Sequence, residues 1–385
     1  MPFNRWVSQE PFGDIPLFRE IQKLLSSSTG PVNLEIARQV AVATATQGRA
    51  EPPIDADATR SFAEAVRAGE QLLAGYLRLP FEEPARTEIV TLRGWVDATL
   101  AGWRWLLEHV AIRLEGELAR AGGEAEGANP MQAALAQIGP LLMGMQVGTL
   151  VGNLAGHALG RYDLPIPRED DARLLLVDTN AQAVARDYGL DPGRLRAWLA
   201  LDEVAHHLVV VSVPWATRYF KSLLIEVVDA IEIDLSDLER RFVELQSRGM
   251  EALQEGGAAE SLLPVVPTER HRRALDRLRA FLALFEGYAT HGARAVAGEI
   301  VDEHARIEEG MARRRTSASE AEALLSNILG ISLDRALETS GATFCAAIAK
   351  LKGQAALNKV WEAPDNLPTP EEIKDPFAWI ERQGI

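Results

Sequence analysis

From Asn129 to Gly160 the chain carries no Asp, Glu, Lys or Arg, while Gly144, Gly148, Gly152, Gly156 and Gly160 recur every four residues. Residues four apart share one face of a helix, so these glycines form a stripe along which another backbone can approach closely. Each glycine inside a helix costs about 1 kcal/mol relative to alanine. A helix that carries such a stripe must offset the cost by close packing, which points to a multi-helix core built around it. A charge-free run of this length also has to be weighed as a membrane span. Gln146, Asn153 and His157 interrupt it, Pro140 shortens it, and no basic flank accompanies it. The expectation is a buried central helix and no stable membrane insertion.

The remaining chain reads as helix punctuated by Pro and Gly. A short helix is expected from Leu17 to Leu25, then one from Asn33 to Gln47 with Asn33 as its cap, one from Ala56 to Gly75 and one from Glu88 to Gly116. Arg173 to Thr179 is the only stretch with the look of a buried strand, so the fold class is mainly α with at most a minor β element at 173–179. Asp191 followed by Pro192 starts a long apolar helix that Val213-Pro214 ends or kinks. Further helices are expected from Ser236 to Gln254, from Thr268 through Ala289 and beyond, from Ser319 to Leu329 and from Ser332 to Leu351. The Pro-rich end is expected to be an extended tail tied down by Trp361, Phe377 and Trp379.

The GGEAEGAN stretch at 122–129 has loop composition and marks a boundary. The organisation expected is an N-terminal helical part over 1–122, a core bearing the site over 129–300, and C-terminal helices with the Pro-rich tail over 301–385. All three can also pack as one compact unit.

A formal charge of −15 argues against nucleic acid or an anionic membrane as partner. The single cysteine, Cys345, excludes an intrachain disulfide and a multi-cysteine metal site, and its Ala-rich surroundings mark it as a buried apolar residue. The first residues lack the layout of a signal peptide, so the expected location is the cytoplasm.

Chemistry is concentrated in the helix that Asp191 opens. Asp202, Glu203, His206 and His207 lie in the middle of an otherwise apolar run, where charge is costly unless it is paired or holds a metal. Asp202 and His206, four apart, share a face and can reach one metal ion, with Glu203 about 100° round the helix. Asp is a permissible zinc ligand but shorter than His. Either the metal shifts toward the backbone, or Asp202 reaches it through water, or the metal is lost. A second carboxylate, Glu286, lies in the apolar half of a later helix with His291 about 140° round from it, so at most one of those two faces the same centre. His207 points away from His206 and reads as structural. His157, on the glycine-striped helix, reads as a hydrogen-bonded core histidine and a reserve member of the site. No nucleophile elbow, phosphate-binding loop or dinucleotide fingerprint is present.

Four segments in order, FGDIPLFREIQKLLSSSTGPVNLEIARQVA, GMQVGTLVGNLAGHALG, LALDEVAHHLVVVSVPW and LALFEGYATHGARAV, resemble a zincin-like family of hydrolases or zinc-dependent metalloproteases, found mainly in actinobacteria and related bacteria. The resemblance covers most of residues 10–300. It implies a zincin-like core in which zinc or another divalent metal is held by His206 and Glu286, with Asp202 replacing the first histidine of H-E-x-x-H, and Glu203 as the catalytic base. The implied activity is metal-assisted attack of water on the carbonyl of a peptide or small amide substrate. The alternative is a non-catalytic binding or scaffold protein in which Asp202, Glu203, His206 and Glu286 form a buried polar cluster.

Overall fold

Local capping signals start the first helices where the sequence places them. The computed structural model describes residues 30–80, 82–121, 130–233, 265–266, 268–316 and 335–385. Helix α1 (Leu34–Thr46) begins at Asn33, whose Oδ1 accepts the Ile36 N–H at 3.1 Å. Helix α2 (Ala56–Leu77) begins at Asp55, whose side chain accepts the Asp57 N–H. The helices expected over 17–25, 236–254 and 319–329 and the boundary at 122–129 lie outside the described residues.

The single helix expected from Glu88 to Gly116 is instead three elements: strand β1 (Thr87–Ile89), helix α3 (Leu92–Gly102) and helix α4 (Arg104–Ala121). Thr91 caps α3, accepting the Gly94 N–H at 3.1 Å. At the break after Gly102 a distant segment packs in: the Glu169 N–H donates to the Gly102 carbonyl at 2.9 Å, and a Cβ on Gly102 would lie 2.7 Å from the Arg168 Cβ. β1 exists because strand β2 (Leu174–Leu176) pairs with it in parallel, Thr87 opposite Leu174 and Ile89 opposite Leu176. This pairing lies far along the chain and overrides the local helical pattern.

Helix α5 (Pro130–Ala155) carries the glycine stripe. Cβ atoms at Gly144, Gly148 and Gly152 would lie 2.5, 2.6 and 2.6 Å from the carbonyl oxygens of Asn33, Ala37 and Ala41, so three of the glycines let α5 rest directly on the α1 backbone. Two expectations need correction. The helix ends at Ala155, so Gly156 and Gly160 are not on it, and it is not central, because Leu142 and Met145 on its outer face are 46% and 47% exposed. Among the described residues no single helix is long and apolar enough to cross a membrane.

Helix α6 (Asp178–Tyr188) leads into α7 (Pro192–Ser212), which Asp191 caps by accepting the Arg194 N–H at 2.8 Å. Pro214 ends α7, and helix α8 (Pro214–Asp229) leaves it at a bend of 96°. Strand β3 (Glu232–Ile233) pairs antiparallel with β4 (Val265–Val266). Helix α9 (Glu269–Ile300), capped by Thr268, packs against α2, α7 and α8, and α10 (His304–Thr316) follows it. Helix α11 (Arg335–Lys352) lies on α9, where Gly287 and Gly341 bring the two backbones together.

The chain end is not extended. Gln354–Leu357, Pro370–Lys374 and Pro376–Gln383 form short helices α12, α13 and α14, the last two started by prolines in the first turn and capped by Thr369 and Asp375. Trp361 and Trp379 are buried as expected, but Phe377 is 67% exposed. One apolar cluster takes in residues from Val32 to Ile380, with α7 and α9 at its middle.

Candidate active site

The α7 cluster sits where three elements meet: α7 itself, α9, and the loop from Leu159 to Asp170 that leaves the end of α5. Asn180 and Trp95 fix the entry to that loop. The Asn180 Nδ2 group donates to the carbonyls of Ala155 and Ala158 at 2.9 and 2.7 Å, and the Trp95 indole donates to the Gly160 carbonyl at 2.9 Å. Gly160 is required here, because a Cβ at that position would overlap the Glu203 carboxylate. The loop then turns its backbone toward Glu203, and the Tyr162 N–H donates to Glu203 Oε1 at 2.8 Å.

Glu203 is 4% exposed and its second oxygen, Oε2, is buried without a hydrogen-bond partner. Burial pushes its carboxyl up to about 8, against the stabilising pull of the Tyr162 amide. At neutral pH this carboxyl is therefore largely protonated.

His206 is 2% exposed. Its Nδ1–H donates to the Asp202 carbonyl at 2.8 Å, one turn back, and its Nε2 meets Glu286 Oε2 on α9 at 3.3 Å. Since Nδ1 holds a proton for that carbonyl, Nε2 facing a carboxylate also needs one, and the ring is an imidazolium. Burial opposes the charge, but the Glu286 carboxylate, followed by Asp202, holds the ring's proton well above the ordinary histidine range. Tyr162 stacks on the imidazole at 5.6 Å with an interplanar angle of 15°, and Phe285 packs on it at 5.4 Å. Glu286 Oε1 has no partner.

The other sequence candidates are dispersed. His207 is buried beside the Tyr162 hydroxyl, 3.4 Å from its Nδ1, and burial with the Arg161 charge lowers it to about 4. His291 faces Tyr76 and Gln354, away from Glu286 as the helical angle requires. His157 is exposed, not in the core, and lies just past the end of α5, where its Nδ1–H donates to the Asn153 carbonyl.

The loop supplies groups that sequence reasoning did not single out. Arg161, 5% exposed, pairs with Asp170 through bonds of 2.6 and 2.8 Å. Arg168, 7% exposed, lies over the faces of Trp95 and Trp103 at 5.3 and 5.7 Å. The available signal was the density of charge in RYDLPIPREDD, a proline-held loop directly after an uncharged helix. A cavity of about 40 Å³ opens beside this loop, lined by Arg161, Tyr162, Arg168, Phe281 and Phe285 among others.

A family model for zincin-like metallopeptidases matches residues 32–380. The chain belongs to the zincin-like metallopeptidase family. A crystal structure from Chloroflexus aurantiacus, described as "a putative hydrolase with a novel fold", superimposes with a TM-score of 0.67 at 25% identity, covering 92% of this chain and 99% of that one. No curated protein matches.

Membership in this zincin-like family implies a divalent metal, ordinarily zinc, and the donor set can be tested against it. Zinc in a catalytic site takes three protein ligands and an open position. Here His206 Nε2 and Glu286 converge, but among the described residues no three His, Cys, Asp or Glu side chains gather as metal ligands. Asp202, at the place of the motif's first histidine, touches His206 through its backbone carbonyl. The arrangement is a two-donor ion pair and does not fit a three-ligand zinc centre.

Proposed function

We propose that this chain is a hydrolase of amide or related carbonyl bonds, in peptides or small amides, in which the ionised form of Glu203, whose share grows as pH rises toward 8, takes the proton of an attacking water. The reading rests above all on Glu203, a buried carboxyl that titrates near neutrality, with one oxygen fixed by the Tyr162 amide and the other unpartnered. Family membership and the hydrolase description of the Chloroflexus structure support the reaction class. The His206 imidazolium, one helical turn along, supplies positive charge for the developing oxyanion. Tyr162 and Phe285 line the cavity and contact His206, so substrate reaches the centre when one of these rings turns aside.

The metal-dependent form of this reaction, with His206, Glu286 and Asp202 as ligands, needs Asp202 to supply a third donor. Turnover of a panel of peptide and small-amide substrates, with and without chelator and with metal content measured, separates the two. The expected result is chelator-resistant hydrolysis that falls by roughly a hundredfold or more in Glu203→Gln. Hydrolysis that requires added zinc would replace the metal-free reading with the metal-dependent one.

A second reading, a binding protein with no turnover, draws on one observation: Glu203 and His206 are buried and do not themselves line the cavity. Absence of hydrolysis across the whole panel, with the fold intact, would favour it.

A further inference from the structure

Arg168 is the buried charge that the site leaves unaccounted for. Nε, Nη1 and Nη2 are all buried and none has a hydrogen-bond partner. The guanidinium carbon lies 5.3 and 5.7 Å from the ring centres of Trp95 and Trp103, two indoles at 83° to each other, which stabilise its charge but offer its N–H groups no oxygen acceptor. A guanidinium held this way is expensive unless something accepts from those edges. The position is built for it, since only glycine at 102 leaves room for the Arg168 stem.

The side chain lines the cavity beside the loop. Arg161 lines it too, but Asp170 already pairs with that residue. Two guanidiniums and no carboxylate line this cavity; Asp170 answers Arg161, and Glu203, whose charge would also act on Arg168, is held largely protonated by its burial. Its remaining walls are largely apolar, including Ile166, Val209, Phe220 and Phe281. The volume of about 40 Å³ compares with the ~10–15 Å³ needed for one water, so it admits a group of about three heavy atoms, which is the size of a carboxylate.

We infer that this cavity binds the carboxylate group of an apolar acid, with the Arg168 guanidinium as its fork and the body of the acid left in the cavity's opening. Charge-assisted bonds to a planar carboxylate match the geometry of a guanidinium edge better than any neutral ligand does. The ligand is either a free apolar acid or the C-terminal residue of a peptide. The inference is independent of turnover at Glu203, because it concerns equilibrium binding at a neighbouring group.

The test is calorimetric titration of the full chain with two matched pairs: benzoate against benzamide, and N-acetylphenylalanine against its amide. The expected result is that the acid of at least one pair binds roughly tenfold or more tightly than its amide. Arg168→Gln abolishes the difference, and Arg168→Lys, which keeps the charge but not the fork, restores it only in part. Preference for benzoate alone assigns a free acid, and preference for both acids assigns a chain terminus. The wild-type comparison stands even if a variant fails to fold. Equal binding of acids and amides, no binding of either, or binding of inorganic phosphate without either acid would overturn the proposal.

Discussion

Gly160 and Glu203 are fitted so closely that a single methyl group on Gly160 would occupy the space of the Glu203 carboxylate. The carboxylate cannot simply swing away, because Tyr162 holds it by a backbone amide, and the same methyl group would also lie 3.0 Å from the Leu175 carbonyl oxygen. Gly160→Ala is therefore expected to lower stability by about 1–3 kcal/mol. Urea unfolding measures this directly, and an unchanged midpoint would show that loop and helix are not locked together.

Gly287 and Gly341 form the corresponding contact between α9 and α11. A Cβ on Gly287 would overlap the Gly341 backbone, and one on Gly341 would overlap the Ala283 carbonyl. Backbone yields less readily than a side-chain tip, so Gly341→Ala should destabilise by about 3 kcal/mol. The same substitution at Gly116, which has open space, is the control, and thermal unfolding of the two variants should separate clearly.

The raised carboxyl of Glu203 makes stability depend on pH. Its folded value, about 8, lies above the unfolded value, so the native state holds a proton that the unfolded chain releases. The contribution is full below the unfolded carboxylate value and is lost as pH rises through about 8. His207, lowered to about 4, acts the other way and loses its contribution as pH falls toward that value. Glu203→Gln should flatten the decline between roughly pH 5 and 8, where the slope from one such group reaches at most about 1.4 kcal/mol per pH unit. Identical pH–stability curves for the two proteins would contradict a buried, proton-holding Glu203.

Asp202 is the position at which the motif departs from two histidines one turn apart. Asp202→His places an imidazole on the face shared with His206, and Glu286 already meets that residue. The variant is expected to take up about one zinc per chain, while the natural chain retains much less under the same loading. Emission spectroscopy after dialysis gives the ratio, and equal zinc content in both would sink the claim that Asp202 is what leaves the donor set short.

Cys345 is fully buried and its thiol is pushed up by that burial. A thiol reagent should leave it unmodified in the native protein and label it in urea, with labelling tracking global unfolding.

Much of the scaffold was legible because its causes are local. Asn33, Asp191 and Thr268 start their helices by accepting the amide three residues on, and Pro214 ends one by lacking an amide. The glycine stripe was readable as a packing surface for the same reason, since spacing along one helix sets its face. Glu286 was readable as a companion to His206 because a carboxylate in an apolar half-helix requires a partner. The extended tail was misread because its prolines start helices rather than prevent them.

By itself, then, the sequence determined where the helices opened by a side-chain cap begin, and which polar groups are too buried to stand alone. Only the tertiary structure decided what each group meets. It converted Thr87–Ile89 to strand by pairing it with a distant partner, brought the Leu159–Asp170 loop onto Glu203, and set Arg168 against two tryptophans. It also gathered His206 and Glu286, with no third donor among the described residues. These are contacts between residues far apart in the chain. Their geometry is fixed by how whole helices pack, and no pattern within a few residues encodes it.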